Sequence, residues 1–295
     1  MMKGKLKIFF TIFKKASTSW YNNDPFGKSA IIAYYTLFSL PSLLMIVVSI
    51  TGYFFGVEAV KGRIVQKLGG LIGEGVSEAI EGMIANASLN QSSTFSIVLG
   101  IAMLLFGATG VFVQLKKTMN AIWNVKSRKD GFIKTLLDRL ISFGMILVLG
   151  FLFLVSLILS IILNVMSEYV GHIAPNIAAI FADIFSFLLS FCIITGLFGA
   201  IFKWLPDIDI RWKTTFLGAG LTTILFLIGE YLLGFYFTKS DPTSVYGGSS
   251  SVVLILLWVY YTCIIIFFGA EFTFQYADYR KEKVGPNKKA ISEVK

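Results

Sequence analysis

The stretch SSSVVLILLWVYYTCIIIFFGAEFTFQYADYRKEK, residues 249–283, decides the fold. From 249 to 276 it contains a single charged side chain, Glu271. About 20 apolar residues in an α-helix cross the ~30 Å hydrocarbon layer, so this run is long enough to span. It must be helical, because lipid offers no partner to an open strand edge. Directly after it come Arg280, Lys281 and Lys283. A cationic flank of this kind marks the cytoplasmic side of a span.

Upstream lie five more apolar runs, at 30–56, 93–113, 138–164, 178–202 and 214–237. The segments before the first run, between the second and third, between the fourth and fifth, and after the sixth hold 22 of the 26 Lys and Arg, counting Arg139 at the very start of the third run. This alternation predicts six transmembrane helices with both termini cytoplasmic. The expected fold class is therefore all-α, a polytopic membrane protein. Residues 1–276 form one membrane domain and 277–295 a basic cytoplasmic tail. Pro41 predicts a kink in the first span.

Composition agrees. Hydrophobic residues make up 56% of the chain, including 28 Phe, and mean hydropathy is +0.76, well above that of a soluble domain. The net charge of +9 lies beside apolar runs. It therefore points to anionic lipid headgroups, with Lys116 and Lys117 as candidates, and not to nucleic acid. Cys192 and Cys263 both fall inside apolar runs, at a spacing that suggests neither a disulfide framework nor a metal site. His172 is the single histidine. No metal, cofactor or catalytic set is expected. Whether further copies or envelope proteins join the chain is left open.

Two segments flank the first span. Within 1–29, Leu6, Phe9, Phe10 and Phe13 recur at helical spacing with lysines on the other side, which predicts an interfacial helix on the inner leaflet. A signal peptide fits less well, since lysines interrupt the apolar stretch and no small-residue cleavage site follows. The outer segment 57–92 is Gly-rich and mildly amphipathic. Gly69 and Gly70 divide it into two short surface helices.

Polar residues inside the runs fall on faces. Tyr35 and Ser39 share a face of the first run, Ser160 and Asn164 of the third, Asp183 and Ser190 of the fourth, and Thr223 and Glu230 of the fifth. The predicted topology places Ser160, Asn164, Asp183, Ser190 and Glu230 in the outer half of the membrane. Such residues suit a polar cleft with Glu230 and Asp183 as its ionisable groups. The alternative is that the hydroxyls let helices pack closely and that Asp183 is hydrated or caps a helix. Glu271 belongs to the inner end of the sixth span. It pairs with basic residues such as Arg280 and Lys281, or it acts as a gate. Gly247 and Gly248 read as a flexible turn before that span.

Four blocks carry a resemblance: AIIAYYTLFSLPSLL (30–44), TGVFVQLKKTMNAIWNV (109–125), WLPDIDIRWKTTFLGAGL with GEYLLGFYF (204–237), and YGGSSSVVLILLWVYYTCIIIFFGAEFTF (246–274). In this order, over nearly the whole chain, they resemble the bacterial YihY/BrkB family of inner-membrane proteins. Leu40-Pro41-Ser42 stands where the family pattern has Phe-Pro-Leu. The family has carried a ribonuclease label, which these residues argue against. RNA cleavage needs a metal-binding cluster or a His-based acid/base pair, and the inner segments offer Asp130, Asp138, Asp207 and Asp209 but no histidine. Asp207 and Asp209 match the family's Leu-Pro-Asp turn, for which helix capping suffices. The family's links to serum resistance and envelope lipids imply a non-enzymatic, transporter-like handler of an amphiphilic, anionic envelope molecule. A non-transporting scaffold or assembly factor is the alternative.

Overall fold

The computed structural model describes residues 2–39, 94–127, 175–240, 250–282, 284–287 and 290–292. Six helices and four short strands occur among them. Helix α1 is Met2–Asn22, and α2 covers 25–39. Helices α3 (Thr94–Ile122), α4 (Pro175–Trp204), α5 (Trp212–Ser240) and α6 (Ser250–Tyr279) follow. Strands β1 (Val125–Ser127), β2 (Ile208–Asp209), β3 (Gly285–Pro286) and β4 (Ala290–Ser292) lie in the connections and the tail. Within α4, α5 and α6, segments of 18, 26 and 28 residues are long and apolar enough to cross a membrane. The third run, the outer segment 57–92, Pro41, Ser160, Asn164, His172, Gly247 and Gly248 lie outside the described residues.

Local chemistry sets the helix ends. Asp24 adopts φ 49°, and its carboxylate accepts from the Gly27 amide at 3.1 Å. It thus caps α2, with Pro25 in the favourable first position. Asn124 terminates α3 at φ 53°, a left-handed residue well suited to Asn. At the end of α6, Lys281 has φ 51°. Its amide donates to Asp278 O, and the Glu282 amide reaches back to Ala277 O at 3.0 Å, forming a Schellman closure. Pro206 stops α4, and Arg211 O accepts the Thr214 and Thr215 amides to start α5.

α6 packs on α5, α5 on α4, and α1 on α6, while α3 touches α6 near its own end. The main core gathers Met119, Trp123, Phe198, Phe202, Phe226 and Phe267. A second cluster joins Ile12 and Ala16 of α1 to Phe268 and Phe272 of α6. Helix α1 is therefore docked on the bundle. Ile12, Ala16, Phe13 and Trp20 form the docking face, and the Trp20 indole donates to Ile264 O at 3.3 Å. Phe9 and Phe10 stay exposed. Phe9 nonetheless meets the Phe272 ring at 5.7 Å, so it borders the docking face, whereas Phe10 lies away from it.

The strands depart from the all-α expectation. β1 pairs antiparallel with β4 (Val125 with Ser292), and β2 with β3 (Ile208 with Pro286). Loop backbone next to a helix end still needs hydrogen-bond partners, and the returning tail supplies them. The tail is a built part of the fold and not an appendage. Its strands, the α3–β1 end, the α4–α5 turn and the end of α6 all meet at one end of the molecule. These are the segments that the charge pattern grouped together.

Candidate functional site

At this basic end, Asp207 is the hub. It is 3% exposed. The Asn120 amide donates to its Oδ2 at 3.0 Å, and its own backbone N–H donates to Asn120 Oδ1 at 2.8 Å. Lys116 Nζ lies 3.0 Å from Oδ1, and the Asn287 amide donates to Asp207 O at 3.0 Å. Lys116 and Asn120 are one turn apart on α3, so both reach the same carboxylate. Asp207 ties α3 to the α4–α5 turn and the tail. Lys116 serves Asp207, while Lys117, facing away, is exposed. Asp209 is also exposed.

Glu271 is fully buried. The Asn23 side-chain amide donates to its Oε1, and Lys28 Nζ donates to Asn23 O. Glu271 therefore fastens α6 to the α1–α2 turn. The expected partner Arg280 instead sits over the Tyr276 ring and 3.9 Å from Glu282. Glu282 in turn accepts the Thr214 hydroxyl of α5 at 2.8 Å.

Further along, α5 and α6 interlock through two matching Gly-x-x-x-Thr units. A Cβ on Gly218 would strike Thr273, and one on Gly269 would strike Thr222. Each threonine donates to the carbonyl four residues back, Thr222 to Gly218 at 2.7 Å and Thr273 to Gly269 at 2.6 Å. The hydroxyls are thus satisfied while the backbones approach closely. One signal for this seam was present in the sequence, since the same spacing occurs at 218–222 and 269–273. Asn120 and Asn23 carried no such signal.

Glu230 is half-buried on α5. Its neighbour Gly229 makes room for the Tyr261 ring of α6. The Tyr261 hydroxyl donates to Phe226 O at 2.6 Å, the carbonyl that the Glu230 amide uses in a regular helix. Towards α4, Thr195 and Thr223 hydroxyls pair at 3.0 Å. Ser190 lies five residues before Thr195 on α4, on a different face of that helix, and is half-buried. Asp183 lies further along α4. Tyr35 and Ser39 belong elsewhere. A Cβ on Gly110 would strike the Tyr35 ring, and one on Gly107 would come within 2.6 Å of Ser39 Cβ, so both residues form the α2–α3 contact. Cys192 is exposed, Cys263 is buried, and both are free thiols.

A family model described as virulence factor BrkB matches residues 18–292. A UPF0761 membrane protein of Mannheimia succiniciproducens is 24% identical over 98% of this chain and 96% of its own length. A counterpart in Psychromonas ingrahamii is 24% identical over 87% of this chain and 84% of its own. One in Tolumonas auensis is 26% identical, over 62% of this chain and 58% of that protein. No solved structure matches. With the family pattern running from the end of α1 to β4 and apolar helices long enough to span, the chain belongs to the BrkB family of membrane proteins.

Proposed function

We propose that this protein is a six-span inner-membrane protein, with both termini cytoplasmic, that moves or binds an amphiphilic, anionic envelope molecule. The observation that carries the reading is Glu230, a half-buried carboxyl in the long apolar helix α5. Ionisable groups at such depth are costly and belong to pathways or relays. In this reading Glu230, Ser190 and Asp183, with Ser160 and Asn164, line an outer cleft. Bending at Pro41 and motion at Gly247–Gly248 open it. Protonation of Glu230 couples the step to protons. The meeting of the basic α3–β1, α4–α5 and tail segments at one end supports the topology.

The reading assigns no enzymatic role. Asp207, which a nuclease would need, is engaged by Lys116 and Asn120. The test is movement of a fluorescent anionic phospholipid between leaflets of liposomes holding the purified protein. Glu230→Gln should abolish its response to a pH gradient. Unchanged transport would remove the proton role, and no lipid movement at all would sink transport.

The close α5–α6 seam favours one other reading, a scaffold with a filled core. That reading predicts inert liposomes and stable co-purification with an envelope protein.

A further inference from the structure

The α4–α5 turn carries a cationic, aromatic surface that none of the contacts above uses. Trp204 and Trp212 meet edge to face at 5.8 Å, and Phe216 stacks on Trp212 at 5.4 Å. All three rings are exposed, at 52%, 43% and 47%. Lys203 Nζ lies 5.7 Å over the Trp212 ring and donates to Ile210 O. Arg211 and Lys213 flank Trp212 and are exposed. Among the described residues neither pairs with a carboxylate. Asp209 is the one exposed acid in the turn.

This patch continues into an apolar track. From Trp212 every fourth residue of α5 lies on one winding ridge. The series reads Trp212, Phe216, Gly220, Ile224 and Ile228. The four side chains are exposed, and a Cβ on Gly220 would meet open space. Gly220 is therefore a notch in the ridge. From Trp212 to Ile224 the helix rises about 18 Å, close to half of the ~30 Å hydrocarbon layer.

We infer that this surface binds one anionic phospholipid, with its headgroup phosphate on Arg211 and Lys213 and an acyl chain along Phe216, the Gly220 notch and Ile224. Charge selects the headgroup. The indoles at the polar boundary suit the interface, and the length of the apolar track excludes a soluble anion as the intended occupant. The inference uses the membrane placement of α5 proposed above but not transport, and it holds equally for a scaffold.

The experiment is native mass spectrometry of the delipidated full chain, titrated with phosphatidylglycerol or phosphatidylcholine of the same acyl chains. The wild type should prefer phosphatidylglycerol. Two basic residues near a headgroup are together worth roughly a thirtyfold change in affinity, so Arg211→Gln/Lys213→Gln should erase a preference of about that size. Lys14→Gln/Lys15→Gln on α1 should leave it intact. Gly220→Leu, which fills the notch, should weaken both lipids while keeping the headgroup preference. Equal binding of the two lipids by the wild type would overturn the inference, as would a preference that survives Arg211→Gln/Lys213→Gln. Displacement by glycerol phosphate at the lipid's own concentration would also overturn it, marking a soluble-anion site. Failed leaflet transport alongside intact headgroup preference would count against the proposed function alone.

Discussion

The two ends of α5 are held by different chemistry. Its first turns are fixed by directional polar bonds, Thr214 to Glu282 and, through the preceding turn, Asp207 to Asn120 and Lys116. Beyond Thr223 the Tyr261 hydroxyl of α6 reaches the Phe226 and Leu225 carbonyls. The helix there shows exposed Tyr231, Leu232, Phe235 and Tyr236 and the half-buried Glu230. A buried polar network specifies one geometry, because any shift leaves a charge unpaired. Apolar surface facing lipid imposes no such register. The basic end is therefore the more strictly specified end of α5.

The largest test removes a partner of Asp207. Lys116→Met should cost about 3 kcal/mol, because the buried carboxylate loses a cationic partner. Adding Asp207→Leu should recover part of the loss. Equilibrium unfolding in detergent measures both, and an unaffected single variant would mean that the basic end is not held electrostatically. Next is the seam between the two ends. Gly218→Ala drives a methyl into Thr273 and should cost about 2 kcal/mol, with relief from Thr273→Ala. A smaller effect is expected at Tyr261→Phe, which gives up one hydrogen bond for about 1 kcal/mol. If Tyr261→Phe proved the most damaging of the three, the contrast between the ends would be inverted. The smallest is Gly196→Ala on α4, where a Cβ meets open space. It should change stability by no more than about 0.5 kcal/mol in the destabilising direction and can be stabilising.

Hydropathy made the long helices legible. The fourth, fifth and sixth runs, expected at 178–202, 214–237 and 249–276, became Pro175–Trp204, Trp212–Ser240 and Ser250–Tyr279. α3 overran its apolar run, ending at Ile122 where the run stops at 113. Hydropathy reports where lipid ends, whereas the helix continues through Lys116 and Asn120, which meet Asp207. The charge pattern also grouped the segments that assemble at the basic end. What it could not give was their pairing. Asn120 and Asp207 are 87 residues apart, Asn23 and Glu271 are 248 apart, and two-residue strands have no periodicity to read. Tyr35 and Ser39 share a face as expected, but a polar face reads alike whether it meets water or a glycine on the next helix. Here it meets Gly107 and Gly110.

The pairing of Val125 with Ser292 also bears on biogenesis. The ribosome releases Val125–Ser127 long before Ala290–Ser292 emerges, with α4, α5 and α6 still to be made. Throughout that interval the β1 edge has no β4 to bond. Final closure of the basic end therefore waits until every described helix has been made. Synthesis of the helices and closure are thereby placed in a fixed order, and a nascent chain that has not completed α6 has no route to the closed basic end.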